Sequence, residues 1–207
     1  MHQEALTEKA VQLFPKLKQL GGFYLAGGTA LALQIGHRVS VDFDLFCQDD
    51  IPQKFLAEVE KTFPEFKGEI FPTINNREEL SILINGVKIT FLKYPFPILK
   101  DFVDWDGLRL LDVLELSATK AYTIGRRGSF KDYVDLFFVL SDGHANLDQI
   151  MELAEKKYGH EFNSRLFLEQ LAYLDDVEET SILFLNKPVD KKQIAEFFAQ
   201  EIKKIKF

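Results

Sequence analysis

YLAGGTALALQIGHRVSVDFDLF, from Tyr24 to Phe46, is the stretch whose reading decides the fold. Phe23, Tyr24, Leu25 and Ala26 form a short apolar run, as a buried strand requires. Gly27 and Gly28 follow at once, and Thr29 to Ile35 has the composition of a short helix ended by Gly36. A second strand is predicted over 39–46. Val39, Val41, Phe43 and Leu45 take one face, and Ser40, Asp42, Asp44 and Phe46 the other. The glycine pair lets backbone approach a ligand closely, and the helix start offers unsatisfied N–H groups and partial positive charge, which suit a phosphate. Asp42 and Asp44, two apart on one strand, have α-carbons about 6.6 Å apart and leave the same face. Two such carboxylates repel unless a cation lies between them, and Mg2+ binds through one or two carboxylates plus substrate phosphates.

Outward from this stretch, the spacing predicts an amphipathic helix within residues 3–20, with Pro15 a candidate kink. A helix is expected from Pro52 through Lys61, and strands near 67–71 and 80–84. Asn85-Gly86 is a strong hairpin signal, with its return strand over 87–94. Residues 108–111 read as extended. Asp112 and Glu115 have the spacing of a helix cap, with the helix running to about Ile124 and a basic turn over 125–128. Further helices are expected from Ser129 to about Leu140 and over 146–157, 163–173 and 190–205. Strands and helices mix early and helices stand alone later. This predicts an α+β fold, with a core over 1–140 and a helical part over 141–207.

The composition narrows the function. The 207 residues carry a net charge of −7, which argues against a patch-wide nucleic-acid binder. A single cysteine, Cys47, excludes an internal disulfide and a thiolate zinc cluster. No run of about 18 apolar residues is present, so no membrane span is expected and the cytoplasm is the default location. The 20 phenylalanines point to an aromatic core.

Gly27-Gly28, a helix, and then Asp42-Phe43-Asp44 resemble the signature of the DNA polymerase beta-like nucleotidyltransferase superfamily. The wording GGTAL followed by His37, Arg38, Ser40 and DFDLF is most similar to its AbiEii-type branch of nucleotidyltransferase toxins. A second block, 112–140, strengthens the likeness with Lys120 in a helix, Arg126-Arg127, and then Lys131-Asp132-Tyr133-Val134-Asp135. The resemblance covers residues 20–140 and implies a nucleotidyltransferase fold, with a short twisted sheet flanked by helices. It implies transfer of a nucleoside monophosphate from a nucleoside triphosphate to an RNA (tRNA-like) or protein hydroxyl. Mg2+ or Mn2+ would sit on Asp42 and Asp44.

On that reading Gly27, Gly28 and Thr29 cradle phosphates, and Lys120 and Arg127 supply positive charge. Asp132 or Asp135 assists at the acceptor hydroxyl. Arg38 either contacts phosphate or pairs with an acidic neighbour. The biological role implied is a toxin held off by an antitoxin protein. Each second-block residue also has a structural reading: Ser129 and Asp132 form a capping pair, and Lys131 and Asp135 an i,i+4 ion pair. One departure stands out. Many superfamily members carry a third carboxylate on a later strand, where this chain has Thr90, and no Asp or Glu lies between Val87 and Tyr94. A nucleotide-binding module without turnover is therefore the alternative.

Overall fold

The computed structural model describes residues 1–205, with the side chain of Arg127 outside the described set. Two compact units make up the chain: 1–96 with 101–111, and 97–100 with the chain from Asp112 onward. The change from mixed structure to helices alone therefore falls after Leu111. The helices spanning 113–127 and 130–141 group with the C-terminal helices rather than with a core ending at 140.

In the first unit a seven-stranded mixed sheet has the order β3-β4-β5-β2-β1-β7-β6. Its strands are β1 (Tyr24–Ala26), β2 (Phe43–Cys47), β3 (Ile70–Asn75), β4 (Glu79–Ile84), β5 (Val87–Lys93), β6 (Val103–Trp105) and β7 (Leu108–Leu110). Period-two alternation builds its apolar face. Leu80, Phe91, Leu45, Leu25 and Leu110 form one row across five strands, and each is fully buried. Asn85 and Gly86 both take positive φ, 51° and 77°, as the tight β4–β5 turn demands. The first helices are α1 (Glu8–Leu17), α2 (Gly27–Ile35) and α3 (Phe55–Thr62).

The expected aromatic core is present. Phe23, Phe55 and Phe91 have centroids 4.8–5.0 Å apart, and Phe14 lies 4.8 Å from Trp105. Such pairs add to the burial of their area.

The first unit departs from the local reading at its N-terminal helix, at the strand expected over 39–46, and at β3, which lies at Ile70–Asn75 rather than near 67–71. The N-terminal helix starts only at Glu8, because Thr7 caps it through Ala10 N–H. Pro15 sits inside it without splitting it. Pro15 is exposed, so the carbonyl its ring deprives of a partner can be solvated. The strand expected over 39–46 begins only at Phe43. Upstream of it, Ser40 N–H bonds Ala5 O and Ser40 bridges Leu6, which draws the chain off the sheet and leaves Val41 exposed.

The second unit contains α4 (Val113–Arg127), α5 (Phe130–Ser141), α6 (Leu147–Tyr158), α7 (Ser164–Ala172) and α8 (Lys191–Ile202). Side-chain caps at Asp112, Asn146, Asn163 and Asp190 satisfy their first N–H groups. The turn expected over 125–128 is shorter, since α4 continues to Arg127. Arg126 stacks on Tyr122 at 4.2 Å and meets Glu161 at 3.2 Å, contacts that favour the helical path.

Glu115 does not serve as the cap partner its spacing suggests. Its carboxylate accepts from Leu99 N–H (3.1 Å), Lys100 N–H (2.9 Å) and Lys157 Nζ (2.6 Å), and Lys157 also donates to Pro97 O at 2.6 Å. Both side chains are fully buried. Every strong polar atom of the pair is engaged, which is the condition under which a buried ion pair is tolerated. Removing one partner leaves the other charge stranded. Lys157→Met is expected to lower unfolding free energy by about 3–5 kcal/mol, read as a shift in the urea midpoint. An unchanged midpoint contradicts the assignment.

Candidate active site

Two groups of residues carry the candidate chemistry, one in each unit. In the first, β1 runs directly into α2, and Gly27 opens the helix at φ +64°. That conformation favours glycine, and a second reason excludes a side chain. A Cβ built at Gly27 would overlap Asp44 Oδ2 and lie 3.0 Å from both Cβ and Cγ of Asp44. Asp44 pairs in register with Ala26 on one side and Thr90 on the other. Its carboxylate is thus laid against bare backbone at the N-terminus of α2, the end that favours negative charge.

Asp42 is exposed just before β2 begins. Its backbone is fixed by Thr29, whose buried hydroxyl donates to the Asp42 carbonyl and lies 2.7 Å from Ser40 Oγ. Sequence reasoning assigned Thr29 to the phosphate cradle through its backbone. Its side chain also has this second task of tying the Asp42 segment to α2. Gly28 is the second residue of α2. Arg38 is buried, and its guanidinium donates to Val39 O at 3.2 Å.

The donor set suits a divalent cation of the Mg2+ type. It offers two carboxylates, one exposed and one half-buried, beside a backbone cradle that a Cβ would fill. Among the described residues no cluster of three or more His, Cys, Asp or Glu is arranged to hold a metal, so the remaining ligands would come from substrate phosphates and water. Thr90 stands directly opposite Asp44 on the neighbouring parallel strand.

The second group is an ion triad. Lys120 Nζ lies 2.7 Å from Asp132 Oδ1 and 2.7 Å from Asp135 Oδ2. Asp135 is completely buried, and the Lys120 and Asp132 side chains are only 11% and 12% exposed. Asp132 Oδ2 also accepts from Ser129 N–H at 2.9 Å and Ser129 Oγ at 2.8 Å. Asp132 is therefore a helix cap and a Lys120 partner at once. The ammonium is flanked by two carboxylates, so the triad carries a net negative charge rather than the bare cation that the sequence suggested. Arg127, expected to bind phosphate, has its side chain outside the described residues. Arg126 is held on Tyr122 and Glu161, away from the role of a free phosphate clamp. Cys47 is buried, and burial pushes its thiol up from the usual range.

Comparison with known proteins bears on the family and the fold. The chain is 28% identical over 206 residues to the uncharacterized protein aq_aa25 of Aquifex aeolicus (strain VF5), covering 96% of each chain. Its fold is similar to that of JHP933 from Helicobacter pylori (TM-score 0.52, 16% identity, 96% of this chain and 95% of that one). It is likewise similar to MenT4, a nucleotidyltransferase toxin from Mycobacterium tuberculosis H37Rv (TM-score 0.54, 16% identity, 90% of this chain and 82% of that one). The family described as nucleotidyl transferase AbiEii toxin, type IV toxin–antitoxin system, matches residues 12–206.

Two measurements test the local geometry. Gly27→Ala must displace the Asp44 carboxylate and is expected to lower nucleotidyl transfer by about 100-fold. A fully active Gly27→Ala enzyme contradicts the packing argument. The Tyr122 phenol is pushed up to about 12, first by desolvation and then by its hydrogen bond to Glu161. The folded chain thus keeps a proton that the unfolded chain releases near pH 10. Stability should fall as pH rises from about 10 to about 12, and Tyr122→Phe should flatten that part of the profile.

The family match across nearly the whole chain, with the nucleotidyltransferase fold it shares, places this chain in the AbiEii nucleotidyltransferase toxin family, and it is a nucleotidyltransferase.

Proposed function

We propose that the chain moves a nucleoside monophosphate from a nucleoside triphosphate to a hydroxyl of an RNA, tRNA-like, or of a protein. On this reading Mg2+ or Mn2+ is the cofactor, Asp42 and Asp44 are the metal ligands, and an antitoxin protein is the biological partner. The observation that carries it is the Asp44 carboxylate seated against Gly27 at the start of α2. This puts cation-holding oxygens beside a phosphate-binding helix end. A divalent cation on the two carboxylates would neutralise charge that develops on the pyrophosphate leaving group. The N–H groups at Gly27, Gly28 and Thr29 hold the outer phosphates, and Thr29 fixes Asp42 through its carbonyl. The acceptor oxygen attacks the α-phosphorus as the bond to pyrophosphate breaks.

Lys120 is assigned to phosphate charge. Asp132 and Asp135, expected to assist at the acceptor hydroxyl, are assigned instead to poising Lys120, since both bond its ammonium and Asp132 Oδ2 also accepts from Ser129. In such a pair a substrate phosphate takes over a hydrogen bond that a carboxylate holds in the free protein. Arg38 and Arg127 are assigned to nucleotide binding. The absence of an acid at Thr90 is the observation that favours a binding module without turnover.

Label transfer from each α-labelled nucleoside triphosphate, with Mg2+ or Mn2+, total tRNA and total protein, decides between the two. The expected result is label on one acceptor class, abolished in Asp42→Asn/Asp44→Asn. Metal-dependent nucleotide binding with no label on either class overturns the transferase reading in favour of the binding module.

A further inference from the structure

The attacking hydroxyl must lose a proton, and Asp42 and Asp44 are poor candidates to take it. A carboxylate that holds a cation is a weak base, and protonating it would release the cation. The sheet offers another route beside them. On the half-buried face, Asp44 of β2, Thr90 of β5 and Ser81 of β4 stand in one register row. Two residues along β4 on the same face is Glu79, whose Oε1 accepts from Ser81 Oγ at 2.6 Å. Ser81 Oγ is 3.4 Å from Thr90 Oγ1. Ser81 is buried at 1% exposure, so bulk water does not replace its partners.

Glu79 is also held at its backbone. Asn76 Oδ1 accepts from Glu79 N–H at 2.8 Å, and Asn76 N–H donates to Glu79 O at 2.9 Å. With the Ser81 proton committed to Glu79, Ser81 Oγ is left to accept from Thr90. Thr90 in turn stands in register with Asp44 of β2.

We propose that Glu79 is the proton acceptor of the transfer reaction, acting through Ser81 and Thr90. The inference rests on the assignment of Asp42 and Asp44 to nucleotidyl transfer. The acceptor O–H gives its proton to Thr90 Oγ1, the Thr90 proton passes to Ser81 Oγ, and the Ser81 proton passes to Glu79 Oε1. The freed oxygen forms the bond to the α-phosphorus. The bond to pyrophosphate breaks, and its electron pair leaves with pyrophosphate. The 3.4 Å link is the long one, and links of this kind tighten when substrate is bound. Thr90 is the member that meets substrate; Glu79 and Ser81 act behind it.

The test uses the full chain, the α-labelled nucleoside triphosphates and the acceptor preparation that wild type labels. Glu79→Gln keeps size and the Ser81 hydrogen bond but cannot take the proton. Its kcat should fall by about 100-fold, with KM for the nucleoside triphosphate within about twofold and an unchanged melting temperature. Thr90→Asp introduced into Glu79→Gln places a base at the head of the row and should restore at least a tenth of wild-type kcat. Thr90→Asp alone should not raise kcat above wild type; a gain in that background marks an added metal ligand rather than a substitute base and overturns the inference. Glu79→Gln at wild-type kcat, with Asp42→Asn inactive, overturns this inference alone, and so does a loss that Thr90→Asp fails to rescue. A wild-type chain that labels nothing overturns both this and the reading beneath it.

Discussion

Asp44 Oδ2 occupies the space that a side chain on residue 27 would need. Much of the first unit can be read as the means of keeping that contact. Residue 27 must be glycine for two independent reasons, its positive φ and the carboxylate against it. β1 and β2 must be adjacent and antiparallel so that Ala26 and Asp44 pair. The row from Leu80 to Leu110 buries the opposite face and fixes the pleat that turns Asp44 outward. A one-residue slip in β2 would bury Asp44 in the aromatic core and expose Phe43 and Leu45. The burial of those two side chains therefore specifies where the carboxylate stands.

The helical unit follows a different logic. Its interior holds charge: Glu115 with Lys157, and Lys120 between Asp132 and Asp135. The first pair is closed on itself by Leu99, Lys100 and Pro97, and its work is structural. The triad differs in composition. Two carboxylates share one ammonium, so it holds an excess negative charge, and one of its acids doubles as the cap of α5.

The local signals in the chain were strong where the chemistry is local. Glycine after a short apolar strand and Asn85-Gly86 each have a meaning within a few residues, and each is found as read, whereas of the two acids only Asp44 lies on the strand and Asp42 precedes it. What the sequence did not disclose is long-range. Thr29 is an ordinary helix residue until the fold brings Asp42 O beside it, 13 positions away. Glu115 has cap spacing, yet Lys157, 42 positions on, takes its carboxylate inside. The start of β2 is set by Ala5, not by alternation, which is why Val41 fits the strand pattern and is exposed. Nothing local marks Glu79 or Ser81, because only the register of β4 on β5 and β5 on β2 brings Ser81 into the row of Asp44, with Glu79 two residues away on the same face.

The claim on which the rest depends is that Asp42 and Asp44 hold a divalent cation together with a nucleoside triphosphate. Mn2+ electron paramagnetic resonance, titrated with and without nucleoside triphosphate, measures this directly. Tight Mn2+ uptake that requires both nucleotide and protein, and that Asp42→Asn/Asp44→Asn removes, is the predicted result. Mn2+ uptake identical in wild type and the double variant would contradict the account.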